Sequence, residues 1–453
     1  MTLLKRLLAS LGMILFLAGF LSGQGETAIF PLRDVHAGLK GVGRTIFQGD
    51  KIDEFQVEIL GVLKNAMAPQ RDLIVARLSG GPLALTGVIA GMSGSPVYID
   101  GKLVGAVSRS FPLSKEPIAG ITPIEDMLTV VPSPAGASAR ASLGPDVRIA
   151  NVDGAAPDLG RIITDSDGTP LVPAAPAAQP PAVGGFSSLM LPLRFGGFAN
   201  AAIDQFKPQL RRLGLEPVEG GVISGGEQSS PLSPTDLQPG SMISLMLVKG
   251  DLDLNIDCTV TYRQGNNLYA CGHQVLAEGP AEFPFAPAHV IVVVPRLDSS
   301  FKLDAPGAVV GTIRQDRFDA IYGQVGGKLP PMIPVHVHLD SSLNRTADYH
   351  FDMVQEPFLS PLLLNLAVTS ALTVSERSMG SSSVVLHAKI QLAGGQSVIL
   401  DDILVPIARC VLRMVYWSCI FSPRSNSAWA SSIICASRVS GTSLRSSSVQ
   451  YRA

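Results

Sequence analysis

Thr86-Gly87-Val88-Ile89-Ala90-Gly91-Met92-Ser93-Gly94-Ser95-Pro96-Val97-Tyr98-Ile99-Asp100-Gly101-Lys102-Leu103-Val104-Gly105-Ala106-Val107 is the stretch on which the fold turns. Its second half is a hairpin in sequence form: two apolar runs, Pro96–Ile99 and Leu103–Val107, flank Asp100-Gly101-Lys102. Asp-Gly between apolar runs marks a tight turn, because glycine accepts the positive φ that such a turn demands. Its first half has the chemistry of a reactive serine. A nucleophilic hydroxyl needs a tight turn, with backbone N–H groups aimed at the oxyanion that forms in acyl transfer. Gly91 and Gly94 let the chain bend around Ser93 so that the amides of Gly91 and Ser93 converge on one hole, and Pro96 fixes the exit into the next strand. The plain alternative for the hexapeptide is a Gly/Ser turn in a β protein.

Outward from this stretch the pattern stays short-stranded. Phe55-Gln56-Val57-Glu58-Ile59 alternates apolar and polar residues before the run to Leu63, as a strand with one buried face does, and Leu73–Leu78 reads as another strand. Residues 31–128 therefore form one β lobe. From 129 to 185 Pro, Ala, Gly and Ser dominate, which reads as a semi-rigid linker. Structure resumes near Phe186, with a helix expected over Phe198–Gly214 from the spacing of Ile203, Phe206, Leu210 and Leu213. Residues 240–330 return to strands, a further strand pair spans Val384–Val405, and 186–402 make a second β lobe with a short helical segment.

Both ends read differently. Lys5 and Arg6 precede an apolar run from Leu7 to Leu21. That run has signal-peptide length and is short for a membrane span of roughly 20 residues. Residues 1–25 are thus a signal peptide or an uncleaved anchor that tethers the chain to a membrane, and the expected location is secreted or periplasmic. After Asp402 there is no Asp, Glu or Lys, while both tryptophans, Trp417 and Trp429, and three of the five cysteines fall in 403–453. This anomalous tail is either a frameshifted end or a genuine low-complexity tail, and no function is placed there. Cys258 and Cys271 are read as two small buried thiols, with a disulfide as the alternative. No cysteine or histidine spacing suggests zinc, so no cofactor or metal is expected.

Composition excludes other classes. The 453 residues are 46% hydrophobic and 16% charged, which excludes a mostly disordered chain. The formal net charge of -2, without a Lys/Arg run, gives no footing for nucleic acid.

The serine stretch, continued by Ile121-Thr122-Pro123-Ile124-Glu125-Asp126-Met127-Leu128, closely resembles the serine region of the SpoIVB-type serine peptidase family. A looser resemblance to the same family runs through Thr259-Val260-Thr261-Tyr262, Ala270-Cys271-Gly272-His273, Gly311-Thr312-Ile313 and Ile321-Tyr322-Gly323. That resemblance implies a mainly β, two-lobed trypsin-like barrel, circularly permuted because Ser93 precedes His273, with few helices and a Pro/Ala-rich linker. It implies an endopeptidase with protein or peptide substrates, Ser93 as nucleophile and His273, from the family's Gly-His pair, as base. The family's acid upstream of the serine is missing: Leu78-Ser79-Gly80-Gly81-Pro82 aligns there, with Ser79 in its place. Asp72 is nearby, and Asp316 is the candidate third member because it shares the histidine's lobe; a salt bridge to its flanking arginines is the plainer reading. His36 is a rival base, while His289, His336 and His338 read as packing residues. The family prototype carries a PDZ domain, of which Pro239-Gly240-Ser241-Met242-Ile243 is a faint echo, so partner recognition of that kind is not carried over. The reading from another class is a catalytically inactive peptidase-like binding or scaffold protein of the cell envelope.

Overall fold

The computed structural model describes residues 27–111, 113–130, 185–221, 237–341, 345–356, 359–375, 383–392, 397–404 and 430–440. The expected leader or anchor (1–25), nearly all of the linker and most of the tail lie outside them. The alternation read in the sequence is obeyed: Phe55, Val57 and Ile59 are buried and Gln56 between them is exposed.

The first lobe holds β1 (Lys40–Thr45), β2 (Asp53–Ala68), β3 (Arg71–Ser79), β4 (Pro96–Ile99), β5 (Lys102–Ser110) and β6 (Ile118–Pro123). Every neighbouring pair in the order β1-β2-β3-β6-β5-β4 is antiparallel, and β4 returns to β1, so the sheet closes into a six-stranded barrel. Closure leaves no strand edge unpaired around the ring and encloses Val57, Ile74, Leu78, Val97 and Ile121 in one apolar cluster. The Asp-Gly hairpin is the β4–β5 turn, with Asp100 and Gly101 both at positive φ. A seventh, two-residue strand, β7 (Ser187–Ser188), is added to β5.

The second lobe begins with β8 (Leu191–Gly196), helix α1 (Asn200–Arg212) and β9 (Leu215–Glu219). It continues through β10 (Met242–Gly250), β11 (Asp253–Gln264), β12 (Asn267–Ala270), β13 (Gly279–Val294), β14 (Phe301–Pro306), β15 (Gly311–Arg317) and β16 (Ala320–Val325). The pairings β10-β13-β15-β16-β12-β11, closed by β11 on β10, form a second antiparallel ring of six strands. The architecture is mainly β and consistent with a two-lobed trypsin-like barrel, with the serine-bearing ring first in the chain.

Further strands widen this sheet: β17 (Met332–Ser341), β18 (Arg345–Val354), β19 (Ser383–Leu392), β20 (Ser397–Leu404) and β21 (Ala430–Ser440). The strand pair expected over Val384–Val405 is β19–β20, and the expected helix is α1, which buries Ile203, Phe206 and Leu210. The apolar helix α2 (Leu359–Ser375) was not read from the sequence. Leu363, Leu364, Leu366, Ala367 and Val368 are all buried, so it is enclosed on most sides and lacks the one-sided spacing by which a surface helix announces itself. Among the described residues, no helix is long and apolar enough to cross a membrane. The tail contributes more than expected: β21 lies between β17 and β19, parallel to the first and antiparallel to the second.

The lobes are joined by hydrogen bonds as well as by the chain. Thr259 N donates to Ser93 O (2.8 Å), Thr261 Oγ1 to Gly94 O (2.7 Å) and Thr122 Oγ1 to Gly272 O (2.7 Å). Two isolated bridges, Gly49–Val290 and Ala90–Phe301, also cross the interface.

Candidate active site

Ser93 sits on the turn before β4, between Gly91 and Gly94, both at φ +95°. The turn is knitted by Met92 N to Ile89 O (3.0 Å), Ser95 N to Met92 O (2.8 Å) and Gly94 N to Val107 O on β5 (2.7 Å). Among the described residues, the amides of Gly91 and Ser93 have no backbone acceptor, which is the condition an oxyanion hole requires. At Gly94 the two lobes nearly touch: a Cβ there would lie 2.0 Å from Thr259 O and 2.6 Å from Cys271 N. Only glycine permits both that φ and that approach.

His273 comes from the other lobe, on the loop after β12. Cys271 and Gly272 take φ values of +65° and +69°, which turns the chain out of the strand and over β5. Thr122 of β6 then anchors the loop through Gly272 O. The result is a contact of 2.5 Å between His273 Nε2 and Ser93 Oγ, across 180 residues of sequence. His273 Nδ1 lies 2.6 Å from Gln274 O. A carbonyl only accepts, so Nδ1 carries the proton and Nε2 is left as the acceptor for the serine hydroxyl. Cys271 O, 2.6 Å from Ser93 Oγ, is the competing acceptor for that one proton.

Asp316 is not a partner of the ring. Its carboxylate accepts from Val275 N (2.8 Å) and Leu276 N (2.6 Å), and from the amides of Ala277 and Glu278. The expectation that it orients His273 directly is corrected, and so is its reading as a surface ion pair, since it is buried and Arg314 pairs with Glu282 instead. Asp316 holds the loop that follows His273. The group facing Nδ1 is the Gln274 carbonyl.

His36 is exposed, with Nδ1 2.9 Å from Ala37 O, and Asp72 pairs with Lys64. His289 bonds Asp50, while His336 and His338 both bond Asp348 on the sheet surface, so these three are polar partners rather than packing residues. Ser79 is exposed at the end of β3. Cys258 and Cys271 form a disulfide, which corrects the two-thiol reading. Their sequence separation of 13 carries no signal; the antiparallel β11–β12 pairing brings them together and ties the strand of Thr259 to the loop of His273. Among the described residues, no group of histidine, cysteine, aspartate and glutamate side chains could hold a metal ion.

Ser93 and His273 are 0% and 2% exposed, so in this conformation the pair is closed off from water. Burial, reinforced by the nearby Arg109 guanidinium, drives the His273 pKa down to about 3 from its ordinary 6.5, against the opposing pull of the Gln274 and Leu189 backbone. The imidazole is therefore neutral at ordinary pH, as a base must be. The unfolded chain binds this proton with the ordinary pKa and the folded chain resists it. The stability linked to His273 is therefore complete above about pH 6.5 and is lost as pH falls towards about 3. Urea unfolding across this window should show a loss of up to about 1.4 kcal/mol per pH unit from this group. His273→Gln should flatten that slope; an unchanged slope would place the titration elsewhere.

Arg109 was not anticipated. It follows the apolar run of β5 as the strand's last residue but one, and nothing in Ser108-Arg109-Ser110 signals a buried guanidinium. Burial lowers its pKa to about 10, and it reaches Ser188 of β7.

The model of the SpoIVB peptidase S55 family matches residues 26–128 of this chain. The match spans the whole first barrel with Ser93 and supports the resemblance to the SpoIVB-type serine peptidase family. The residues that carry His273 lie outside it. No curated protein and no solved structure matches the chain.

Proposed function

We propose that this protein is a serine endopeptidase of the SpoIVB type, acting on protein substrates outside the cytoplasm. The family match supports a SpoIVB-like serine peptidase. The observation that carries the finer reading is the 2.5 Å contact between Ser93 Oγ and His273 Nε2, made across the interface of two barrels.

In the proposed mechanism His273 Nε2 takes the Ser93 proton as Oγ attacks the scissile carbonyl, and later delivers it to the leaving amine. The imidazolium formed is stabilised by the Gln274 carbonyl at Nδ1, a dipole where a triad has a full charge. The amides of Gly91 and Ser93 receive the oxyanion. A dyad braced by a carbonyl stabilises the developing positive charge less than a carboxylate does, so a slow enzyme is expected. The apolar N-terminal segment and the Cys258–Cys271 disulfide both favour an oxidising compartment, secreted or periplasmic.

The burial of both side chains and the lack of a carboxylate at the ring favour one second reading, an inactive peptidase-like binding or scaffold protein. Incubation of the purified full chain with a generic unfolded protein separates the two. The peptidase reading expects fragments that accumulate with time; an intact substrate after prolonged incubation favours the scaffold.

A further inference from the structure

The segment Phe186-Ser187-Ser188-Leu189 lies along β5, the strand whose body holds the serine turn. Ser187 and Ser188 pair antiparallel with Ser110 and Arg109, and Leu189 N donates to Ser108 O at 2.9 Å. Phe186 packs on Phe111, with ring centroids 4.0 Å apart, and Arg109 grips the Ser188 hydroxyl. Leu189 is 3% exposed and joins the apolar cluster of Met92, Ile89 and Val107 beneath the serine turn. Its backbone lies near enough to the His273 ring to favour the protonated imidazole against the pull of burial.

An extended segment added to a strand edge, with main-chain bonds along it and one side chain in a pocket, is how peptides bind to sheets. Here that edge runs into the Ser93–His273 pair. We propose that Phe186–Leu189 is a built-in occupant of the substrate-binding edge. It blocks the site, and true substrates are extended peptides that place a leucine-sized apolar residue where Leu189 sits. The inference rests on the peptidase reading for the word substrate, but the occupancy of the edge is separable from it.

The segment blocks without reacting. Leu189 N is engaged by Ser108 O, and the amides of Gly91 and Ser93 have no backbone acceptor among the described residues, so the Leu189 carbonyl does not occupy the oxyanion position. Blocking also accounts for the burial of both catalytic side chains. The two strand residues and one apolar anchor make a short attachment, of the kind that opens locally without global unfolding.

The test uses the full chain carrying Ser93→Ala, so that binding is read without turnover. A fluorescent peptide of the sequence Gly-Phe-Ser-Ser-Leu-Met, that of residues 185–190, is titrated into three proteins: strap intact, Leu189→Ala, and Phe186→Ala, whose half-buried ring lies outside the core and loosens the strap without threatening folding. The loosened proteins should bind at least about tenfold tighter than the intact one, and a peptide with Leu replaced by Asp should lose about tenfold or more, since burying a leucine is worth about 1.5–3 kcal/mol. Equal binding to all three proteins, or no binding to a loosened variant that melts cooperatively, overturns the strap. In parallel, a fluorophosphonate probe is applied to the same variants with Ser93 restored. Faster labelling of the loosened proteins supports the strap. Equal, rapid labelling of all three overturns it and leaves the peptidase reading standing. Labelling of none, with the peptide binding as expected, removes the peptidase reading and leaves the strap.

Discussion

Replacing Ser93 by alanine is expected to remove nearly all peptidase activity, with kcat/KM falling on the order of 10³-fold or more, and His273→Ala should do the same. Among the described residues Ser93 Oγ has one nitrogen partner, His273 Nε2, and the ring's tautomer is fixed by Gln274 O so that Nε2 can accept. Without the hydroxyl the proposed nucleophile is gone; without the imidazole the hydroxyl proton has, among the described residues, only the Cys271 carbonyl to go to, and a carbonyl is no base at neutral pH. The double variant should be little worse than either single one, because residues acting as one unit do not add. Ser95→Ala should do far less. Ser95 Oγ is buried with no hydrogen-bond partner among the described residues, so its removal leaves no group orphaned. Initial rates on a peptide carrying leucine before the scissile bond check all four variants. Additive losses in the double variant would mean that the two residues act separately.

The second large effect is expected at Gly94. Alanine there must hold a φ of +95° and bring its Cβ to 2.0 Å from Thr259 O and 2.6 Å from Cys271 N, contacts that no side-chain rotation relieves because both are backbone. Strain of about 1–3 kcal/mol from the backbone and about as much again from overpacking should appear as lost stability. The same push separates the serine turn from the strand of Thr259 and the loop of Cys271, so activity should fall more than stability alone accounts for. Gly101→Ala is the control: it also has a positive φ, +73°, but nothing lies within 4 Å. Urea midpoints and activities of the two variants should differ widely. If Gly94→Ala behaves like Gly101→Ala, the two lobes do not dock at the serine turn through Gly94.

What the sequence disclosed is what depends on local pattern. The alternation through Phe55–Ile59, the Asp100-Gly101 hairpin and the glycines around Ser93 are written in neighbouring residues, and each became the element expected of it. The expectation that His273 lies beside Ser93 came from a resembling Gly-His pair, not from periodicity. What stayed hidden depends on residues far apart. Asp316 acts on backbone amides 38–41 positions before it, so its chemistry left no spacing to read. Arg109 is buried because the strap and the second lobe cover it, and neither is visible from Ser108-Arg109-Ser110. The strap follows a Pro/Ala-rich stretch and is too short to show a period. The disulfide required knowing that β11 and β12 are partners. In each case tertiary neighbours, not local preference, decide the role.

A Ser93–His273 dyad shows itself most directly in the reactivity of one hydroxyl. Protein with the strap loosened by Phe186→Ala, treated with a fluorophosphonate probe and digested, should carry the adduct on Ser93 when read by mass spectrometry, and the same protein with His273→Ala should not. Efficient labelling of Ser93 that is indifferent to the loss of His273, or no adduct on Ser93 in folded protein, would contradict the dyad.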